Sequence, residues 1–203
     1  MKTNLFVAAV SLSLIGATQA AIVSVTGGVT QISPPTIANF PTLVGPLAQC
    51  WDEQQNVVNS AGLLADITTN PGSSFTPTPG LVVGTFNSHF LHFSNIPAPG
   101  FSSGTITFDG PIVAVMFRDV TLDLSDGLGA LGTVYPTGQA GRGLNGQSNV
   151  SVLGNTLTFN LFGAATGALD IEQVRVLTHP VPAPGALALA GAGLVMVRRR
   201  RAV

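Results

Sequence analysis

Charged side chains are scarce in this sequence. Only 8% of its 203 residues are Asp, Glu, Lys or Arg, and Lys2 is the single lysine. Between Ala21 and Pro180 there are three arginines and nine carboxylates, which gives this stretch a net charge of −6. Nucleic-acid binding depends on clustered Lys and Arg that neutralise phosphates. We therefore expect no nucleic acid among the partners of this stretch.

Cysteine is scarcer still, because Cys50 is the only one. A single cysteine excludes a disulfide within the chain, so packing must hold the fold together. We interpret Cys50 as a small buried residue beside Trp51, with a nucleophile or an intermolecular bridge as the alternative.

Sequence signatures of hydrolases are also lacking. No G-x-S-x-G occurs, and His179 borders the C-terminal segment, a poor position for a general base. The adjacent Asp52 and Glu53 would point to opposite sides of a strand, whereas a glycosidase needs two carboxyls about 5 to 9 Å apart across a cleft. We expect no enzyme and no cofactor. A hydrolase built from carboxylates distant in sequence stays open as an alternative.

Long helical patterns are few, and short β-rich runs bounded by Gly, Pro, Asn or Asp take their place. A hairpin is predicted over Val150–Leu161, with its turn at Gly154-Asn155. Alternation predicts a half-buried final strand at Ile171–Thr178. The other predicted strands are Ile22–Thr26, Leu81–Phe86, Phe90–Phe93, Thr105–Phe108, Ile112–Phe117 and Val120–Leu124. This spacing predicts an all-β fold, a single jelly-roll-like β-sandwich over residues 21–180.

Proline and glycine mark the connections. Thr68–Gly80 and Asn95–Gly100 are predicted loops, since their prolines would leave gaps in a β-ladder. Gly127–Gly146 is glycine-rich and is either a mobile connection or a ligand-facing loop. Gln49–Leu64 is open between a turn or two of helix and a strand.

Two groups of residues have the composition of metal ligands. His89 and His92 are three apart, which on a strand sends the rings to opposite faces and argues against joint chelation. Asp119, Asp123 and Asp126 could gather oxygens for calcium, but their spacing matches no EF-hand loop. A solvated face with turn chemistry is the preferred interpretation, and a calcium site is the alternative.

The two ends of the chain have the composition of targeting segments. Met1-Lys2, the apolar run Leu5–Ile15 and the small residues Gly16–Ala20 predict a secretory signal peptide over residues 1–20. At the other end, Gly185–Val197 is uncharged and would span about 20 Å as a helix, short of a bilayer core of about 30 Å. Four arginines follow it and would stay cytoplasmic, so transient membrane anchoring is expected. These are Arg198, Arg199, Arg200 and Arg201.

Residues 181–203 as a whole resemble a PEP-CTERM sorting signal, the tripartite tag of Gram-negative bacteria that exosortases recognise. The tag's motif corresponds to Val181, Pro182, Ala183 and Pro184, with Ala183 in place of the usual glutamate. The resemblance implies export, transient anchoring in the inner membrane, cleavage near the Pro-x-Pro, and transfer to the cell surface or extracellular matrix. Signal peptidase and an exosortase are the implied partners, with exopolysaccharide as a further candidate. Such tails are also called ice-binding protein C-terminal domains, a label for the tag alone.

Four interior segments resemble a domain often found ahead of such tails. The resemblance implies β architecture and no transferable activity. The segments are QCWDEQQNVV, NSHFLHF, ITFDGPIVAV and LDLSDGLGALGTVYP.

The leading functional hypothesis is therefore a non-catalytic surface or matrix protein with a structural or adhesive role. A carbohydrate-binding module is the alternative, in which Trp51, Tyr135 and several Phe would stack on sugar rings instead of packing in the core. A matrix-polysaccharide hydrolase is less favoured. Ice binding is weakest, because Thr-x-Thr occurs only at the isolated Thr105-Ile106-Thr107 and Thr156-Leu157-Thr158.

Overall fold

Alternation of apolar and polar residues with a period of two is clearest in the strands Asn149–Leu153 and Thr156–Gly163. The computed structural model describes residues 21–95, 99–163 and 171–181. The predicted signal peptide, and the predicted sorting signal from Pro182 onward, lie outside the described residues. In the described part the strands are β1 Ile22–Gly27, β2 Val29–Gln31, β3 Ala48–Asp52, β4 Val57–Ala65, β5 Gly72–Ser73, β6 Gly80–Phe93, β7 Gly100–Phe108, β8 Ile112–Met116, β9 Asn149–Leu153, β10 Thr156–Gly163 and β11 Glu172–Thr178.

The strands form two sheets, which confirms the predicted all-β class. The first sheet has the order β1-β7-β10-β9-β5, and the second has the order β2-β3-β6-β11-β8. Strand β4 pairs with the first half of β6. All strand pairs are antiparallel except β2 with β3.

One core cluster is shared by the two sheets. The first sheet contributes Ile106, Leu157 and Phe159, and the second contributes Leu91 and Val174, all at most 2% exposed. Each such side chain stabilises the fold by about 1.5–3 kcal/mol when it leaves water. The inner faces of both sheets are therefore mainly apolar.

The outer face of the second sheet is covered as well. Phe90 of β6 and Leu177 of β11 pack in a second cluster with Leu122, which belongs to a short helix, α1, Asp119–Ser125. A 3-10 turn at Asp126–Leu128 and the loop that follows complete this cover. Because the sheet is buried on both faces, all seven residues of β11 are buried. The expectation that Ile171–Thr178 would be half-buried is therefore wrong.

The hairpin prediction is confirmed. Strands β9 and β10 pair with Leu153 opposite Thr156, so the turn is Gly154-Asn155. Gly154 has a φ of 62°, a left-handed conformation that glycine adopts without strain.

The predicted strand at Val120–Leu124 is wrong, since these residues lie in α1. The buried Asp66 carboxylate accepts hydrogen bonds from the Phe117 and Arg118 backbone N–H groups, at 2.7 and 2.9 Å, where the helix begins. The apolar residues Val120, Leu122 and Leu124 alternate with polar ones, as in a strand. In the helix, however, Val120 and Leu124 are more than half exposed and Leu122 is buried. A tertiary contact with a residue 51 positions away decided the conformation.

Four further outcomes concern strands β3 to β6 and the glycine-rich loop. The segment Gln49–Leu64, left open, forms β3 and β4. The two predicted strands Leu81–Phe86 and Phe90–Phe93 are one continuous strand, because the polar residues between them are buried and paired with β11. The predicted loop Thr68–Gly80 contains the short β5, whereas Gly127–Gly146 is irregular after its first two residues, which end the 3-10 turn.

Gly104 provides a test of the packing between β1 and β7. A methyl group at this position would overlap the Thr26 carbonyl oxygen, whereas at Gly146 it would meet nothing within 4 Å. We expect Gly104→Ala to lower the free energy of unfolding by about 1–3 kcal/mol. The matched Gly146→Ala should change it by less than about 0.5 kcal/mol. Urea unfolding of the two variants measures both values, and equal stabilities would contradict the close pairing of β1 with β7.

Candidate functional site

Two arginine side chains, Arg142 and Arg175, have no exposed surface. A buried guanidinium must be paired and hydrogen-bonded, because desolvating an unpaired charge is very costly. Their partners form a network between the outer face of the second sheet and the 3-10 turn with its following loop. We call it the arginine network: Glu53, Asp123, Asp126, Tyr135, Arg142, Gln173 and Arg175.

Arg175 is held from two sides. Its Nε and Nη2 donate to the two oxygens of Glu53 at 2.7 and 3.0 Å. Its Nη1 donates to Ser125 Oγ at 2.6 Å and to Asp126 Oδ1 at 3.1 Å. The guanidinium carbon also lies 4.9 Å from the Phe90 ring centroid. This side chain thereby joins the sheet to the end of α1.

Arg142 makes the second half of the network. Its Nη1 and Nη2 each donate to one Asp126 oxygen at 2.7 Å, and Nη1 also reaches Asp123 Oδ1 at 2.7 Å. Its Nε donates to Gln173 Oε1 at 2.7 Å. Asp126 therefore lies between two guanidinium groups. Burial by itself raises the pKa of Asp126, but hydrogen bonds from Arg142 and Thr137 and the two positive charges hold it below its usual value.

Tyr135 anchors the loop to the same network. Its hydroxyl donates to Glu53 Oε1 and accepts the Ala130 N–H at 3.0 Å. Burial, followed by the charge of Glu53, raises the pKa of Tyr135 well above its ordinary value, so the phenol stays protonated. The glycine-rich loop, left open between mobile connection and ligand-facing loop, is thus tied to the sheet at Tyr135 and Arg142.

The arginine network includes two of the three residues considered as calcium ligands. Two of the three candidate ligands, Asp123 and Asp126, accept hydrogen bonds from Arg142, which neutralises the charge that a cation would need. Asp119 lies at the first residue of α1. Within the described part of the chain, no three His, Cys, Asp or Glu side chains come together in a way that could hold a metal ion.

Glu53 is the most deeply buried carboxylate of this network, and carboxylates can act as general bases. Its four hydrogen bonds come from Arg175, Tyr135 and Ser88, whose hydroxyl donates at 2.6 Å. A general base needs a lone pair directed at a substrate proton. Since both Glu53 oxygens are occupied and the residue is buried, the arrangement fits a structural role.

The adjacent Asp52 and Glu53 point to opposite faces, as predicted. Asp52 accepts from the Ile22 N–H at 3.1 Å and lies 2.7 Å from His89 Nδ1, on the side facing the first sheet. The other nitrogen of His89 lies 3.1 Å from Thr178 Oγ1. This Asp-His-Thr set resembles the order of a catalytic triad and was missed by sequence reasoning. His89 and Thr178 are at most 1% exposed, so a substrate could not reach the hydroxyl.

His92 lies on the opposite face from His89, which confirms the argument against joint chelation. One of its ring nitrogens donates to the Leu43 carbonyl at 2.9 Å, and the other accepts from Gln173 at 3.1 Å. Burial and the Arg142 charge lower the pKa of His92 to about 4, although the hydrogen bond to Leu43 opposes them. The ring is therefore neutral at pH 7.

Cys50 and Trp51 are both fully buried, which confirms the preferred interpretation of the cysteine. Burial and the nearby Asp52 raise the pKa of the Cys50 thiol to about 12, the opposite of what a nucleophile requires. The hypothesis that Trp51 and Tyr135 stack on sugar rings does not hold, since Trp51 is 0% exposed and Tyr135 is bound in the network.

The outer face of the first sheet is chemically different. None of the residues in its five described strands is charged. Along β7 and β10, outward-facing residues pair across the strands, and the two Thr-x-Thr motifs that are isolated in sequence lie side by side. The pairs are Thr107 with Thr156, Thr105 with Thr158, Ser103 with Asn160 and Phe101 with Phe162. Neighbouring Ser24 and Thr26 extend the rows onto β1.

Of the proposed sorting residues, Val181 is described and is 44% exposed. Pro182, Ala183, Pro184 and Arg198, Arg199, Arg200 and Arg201 lie outside the described residues. Among the residues that are described, no helix has both the length and the apolar character needed to cross a bilayer.

Comparisons of this chain with protein-family models, with curated proteins and with solved structures found no match.

Glu53→Gln tests the arginine network. The amide keeps the shape of Glu53 but leaves the buried Arg175 charge without its main partner, so we expect a loss of about 3–5 kcal/mol in the free energy of unfolding. The control is Asp109→Asn, the same chemical change at an exposed position, which should change stability by less than about 0.5 kcal/mol. Equal losses in urea unfolding would exclude a stabilising role for the Glu53–Arg175 pair.

His92 makes stability depend on pH. As the pH falls below 6.5, His92 becomes protonated in the unfolded chain, whereas in the folded protein it stays neutral until about pH 4. The contribution of His92 to stability is therefore lost on acidification between these values, with a slope of up to about 1.4 kcal/mol per pH unit. In His92→Gln, unfolding measured from pH 6.5 to 4.5 should show a shallower slope. An unchanged slope would mean that His92 titrates alike in both states.

Proposed function

We propose that this chain is an exported protein of the cell surface or extracellular matrix with a non-catalytic, structural or adhesive role. The observation that carries the proposal is the occurrence of a signal-peptide pattern at residues 1–20 together with a tail at residues 181–203 that resembles a PEP-CTERM signal. Signal peptidase and an exosortase are the processing partners, and exopolysaccharide is a candidate matrix partner.

The tail anchors the chain in the inner membrane for a short time in this proposal. Gly185–Val197 is apolar but short for a stable span, and the four arginines after it interact favourably with anionic lipid, by about 1 kcal/mol each. Such a segment suits a substrate that waits in the membrane for a protease and is then released.

The exported body is, in this proposal, a single β-sandwich with a jelly-roll-like course. Support comes from two sheets that share one core and from a chain that crosses between them at each step from β5 to β8. Such a body needs no disulfide, because its apolar core supplies the stability.

The non-catalytic role is supported by how the polar groups are used. Glu53 and Asp126 are engaged by buried arginines, and His89 is enclosed between Asp52 and Thr178. Groups that would carry general acid–base chemistry are thus occupied within the fold.

Carbohydrate binding is the second candidate function. It is favoured by one observation, the exposed side chain of Phe101, which contacts the tilted ring of Phe162 on the outer face of the first sheet. Exposed aromatic pairs offer a surface on which sugar rings can lie.

Serine replacements at Arg198, Arg199, Arg200 and Arg201 test the sorting proposal. Without the positive charges the tail no longer stops in the membrane, so we expect the variant to keep its tail and to be lost from the cell surface. The wild-type chain recovered from the surface should lack residues 1–20 and everything beyond about Pro184. Mass spectrometry of protein from the native cells measures both ends.

Arg118→Ser is the control for loss of an arginine from the body: the side chain is 54% exposed, although its Nε lies 3.7 Å from the buried Asp66, and the folded variant should be processed normally. Mature surface protein that still ends in the four arginines would refute sorting by cleavage and indicate a simple tail anchor.

A further inference from the structure

We infer that the outer face of the first sheet binds a neutral, linear polysaccharide, with Phe101 and Phe162 as the stacking platform. The inference deepens the proposed function, because it names the ligand class of a matrix protein. It concerns the folded body alone, so it can fail while the sorting proposal stands.

The platform is an aromatic pair at one end of the face. The ring centroids of Phe101 and Phe162 are 4.6 Å apart and the rings are tilted by 43°. Phe101 is 64% exposed, although burying a phenyl ring is among the largest apolar gains available to a chain. The exposed ring of Phe101, supported by the half-buried Phe162, offers an apolar surface against which the C–H face of a sugar ring can pack.

Hydroxyl and amide groups continue from the platform along the same two strands. Ser103 and Asn160 form the next cross-strand pair, followed by two pairs of threonines. Successive outward pairs are about 6.8 Å apart, so the four pairs extend over about 20 Å, enough for several sugar units. These side chains donate and accept hydrogen bonds, as sugar hydroxyls do.

The lack of charged residues in the strands of the first sheet favours a neutral polymer over a charged one. No residue of β1, β5, β7, β9 or β10 is charged, whereas the carboxylates of Glu53 and Asp126 are paired with arginines on the far side of the second sheet. These strands offer an anionic polymer no cation, and the exposed Asp109 lies just beyond the last threonine pair, at the end of β7 away from the phenylalanine pair. A neutral chain loses no ion hydration on binding, so an uncharged polysaccharide matches this surface.

Ice is the competing ligand for rows of threonine. The face combines threonine with serine, asparagine and an aromatic pair. In addition, Leu153 of β9 pairs with Thr156 of β10. A mixed surface with a stacking platform at one end fits a polymer whose rings present both C–H faces and hydroxyls. The composition therefore favours the polysaccharide.

Affinity electrophoresis of the full-length chain through gels that contain hydroxyethylcellulose, glucomannan, xylan or alginate tests the inference. We expect retardation by at least one of the three neutral polymers, none by alginate, and no weakening in 0.5 M NaCl. Phe101→Ala with Phe162→Ala should weaken retardation at least tenfold. Leu81→Ala, which truncates a 71% exposed side chain on β6, is the matched control and should bind like wild type.

The outcomes separate the two proposals. No retardation by any neutral polymer, or equal retardation of the wild-type protein and the double phenylalanine variant, overturns the inference. Loss of binding in Leu81→Ala alone would move the site to the other sheet and overturn it too. Inhibition of ice recrystallisation that requires Thr105 and Thr158, without polysaccharide binding, would assign the face to ice. Thermal melting confirms that each variant is folded, and the processing of the tail is measured independently.

Discussion

The burial of Arg175 constrains much of this structure. A guanidinium with no access to water is stable only if carboxylates and hydrogen-bond acceptors surround it, and here Glu53 and Asp126 come to it from opposite sides. Because Glu53 follows β3 and Asp126 follows α1, this one side chain fixes the helix and its loop on the second sheet. Arg142 is likewise a buried guanidinium paired with carboxylates, and it shares Asp126 with Arg175.

The same constraint accounts for the unusual distribution of charge. In a chain with few charged residues, two of the arginines in the body are buried, and several carboxylates are turned inward to meet them. The first sheet, whose strands contain no charged residue, is held by apolar packing, by its ladder and by side-chain hydrogen bonds such as the one from the Ile22 N–H to Asp52. The strands of the first sheet therefore present hydroxyl, amide and apolar side chains to their surroundings.

Local patterns predicted the elements that depend on neighbours in sequence. The hairpin at Gly154 needs only a turn residue tolerant of positive φ and two alternating runs. The pattern failed at Val120–Leu124, where the buried Asp66 binds the backbone N–H groups just before a helix, and at β11, where polar residues are buried on both faces. No local signal could have identified these, because the partners lie far away along the chain.

By itself the sequence determined the all-β class, the lack of any disulfide within the chain, and the opposite orientation of Asp52 and Glu53, since strand geometry and residue chemistry act over a few positions. Only the tertiary structure decided that Arg175 meets Glu53, 122 residues away, and that two separate Thr-x-Thr motifs become neighbours on one face. The physical reason is that strand register and charge pairing are settled by packing of the whole core, and the free energy of that packing is a property of distant residues brought together.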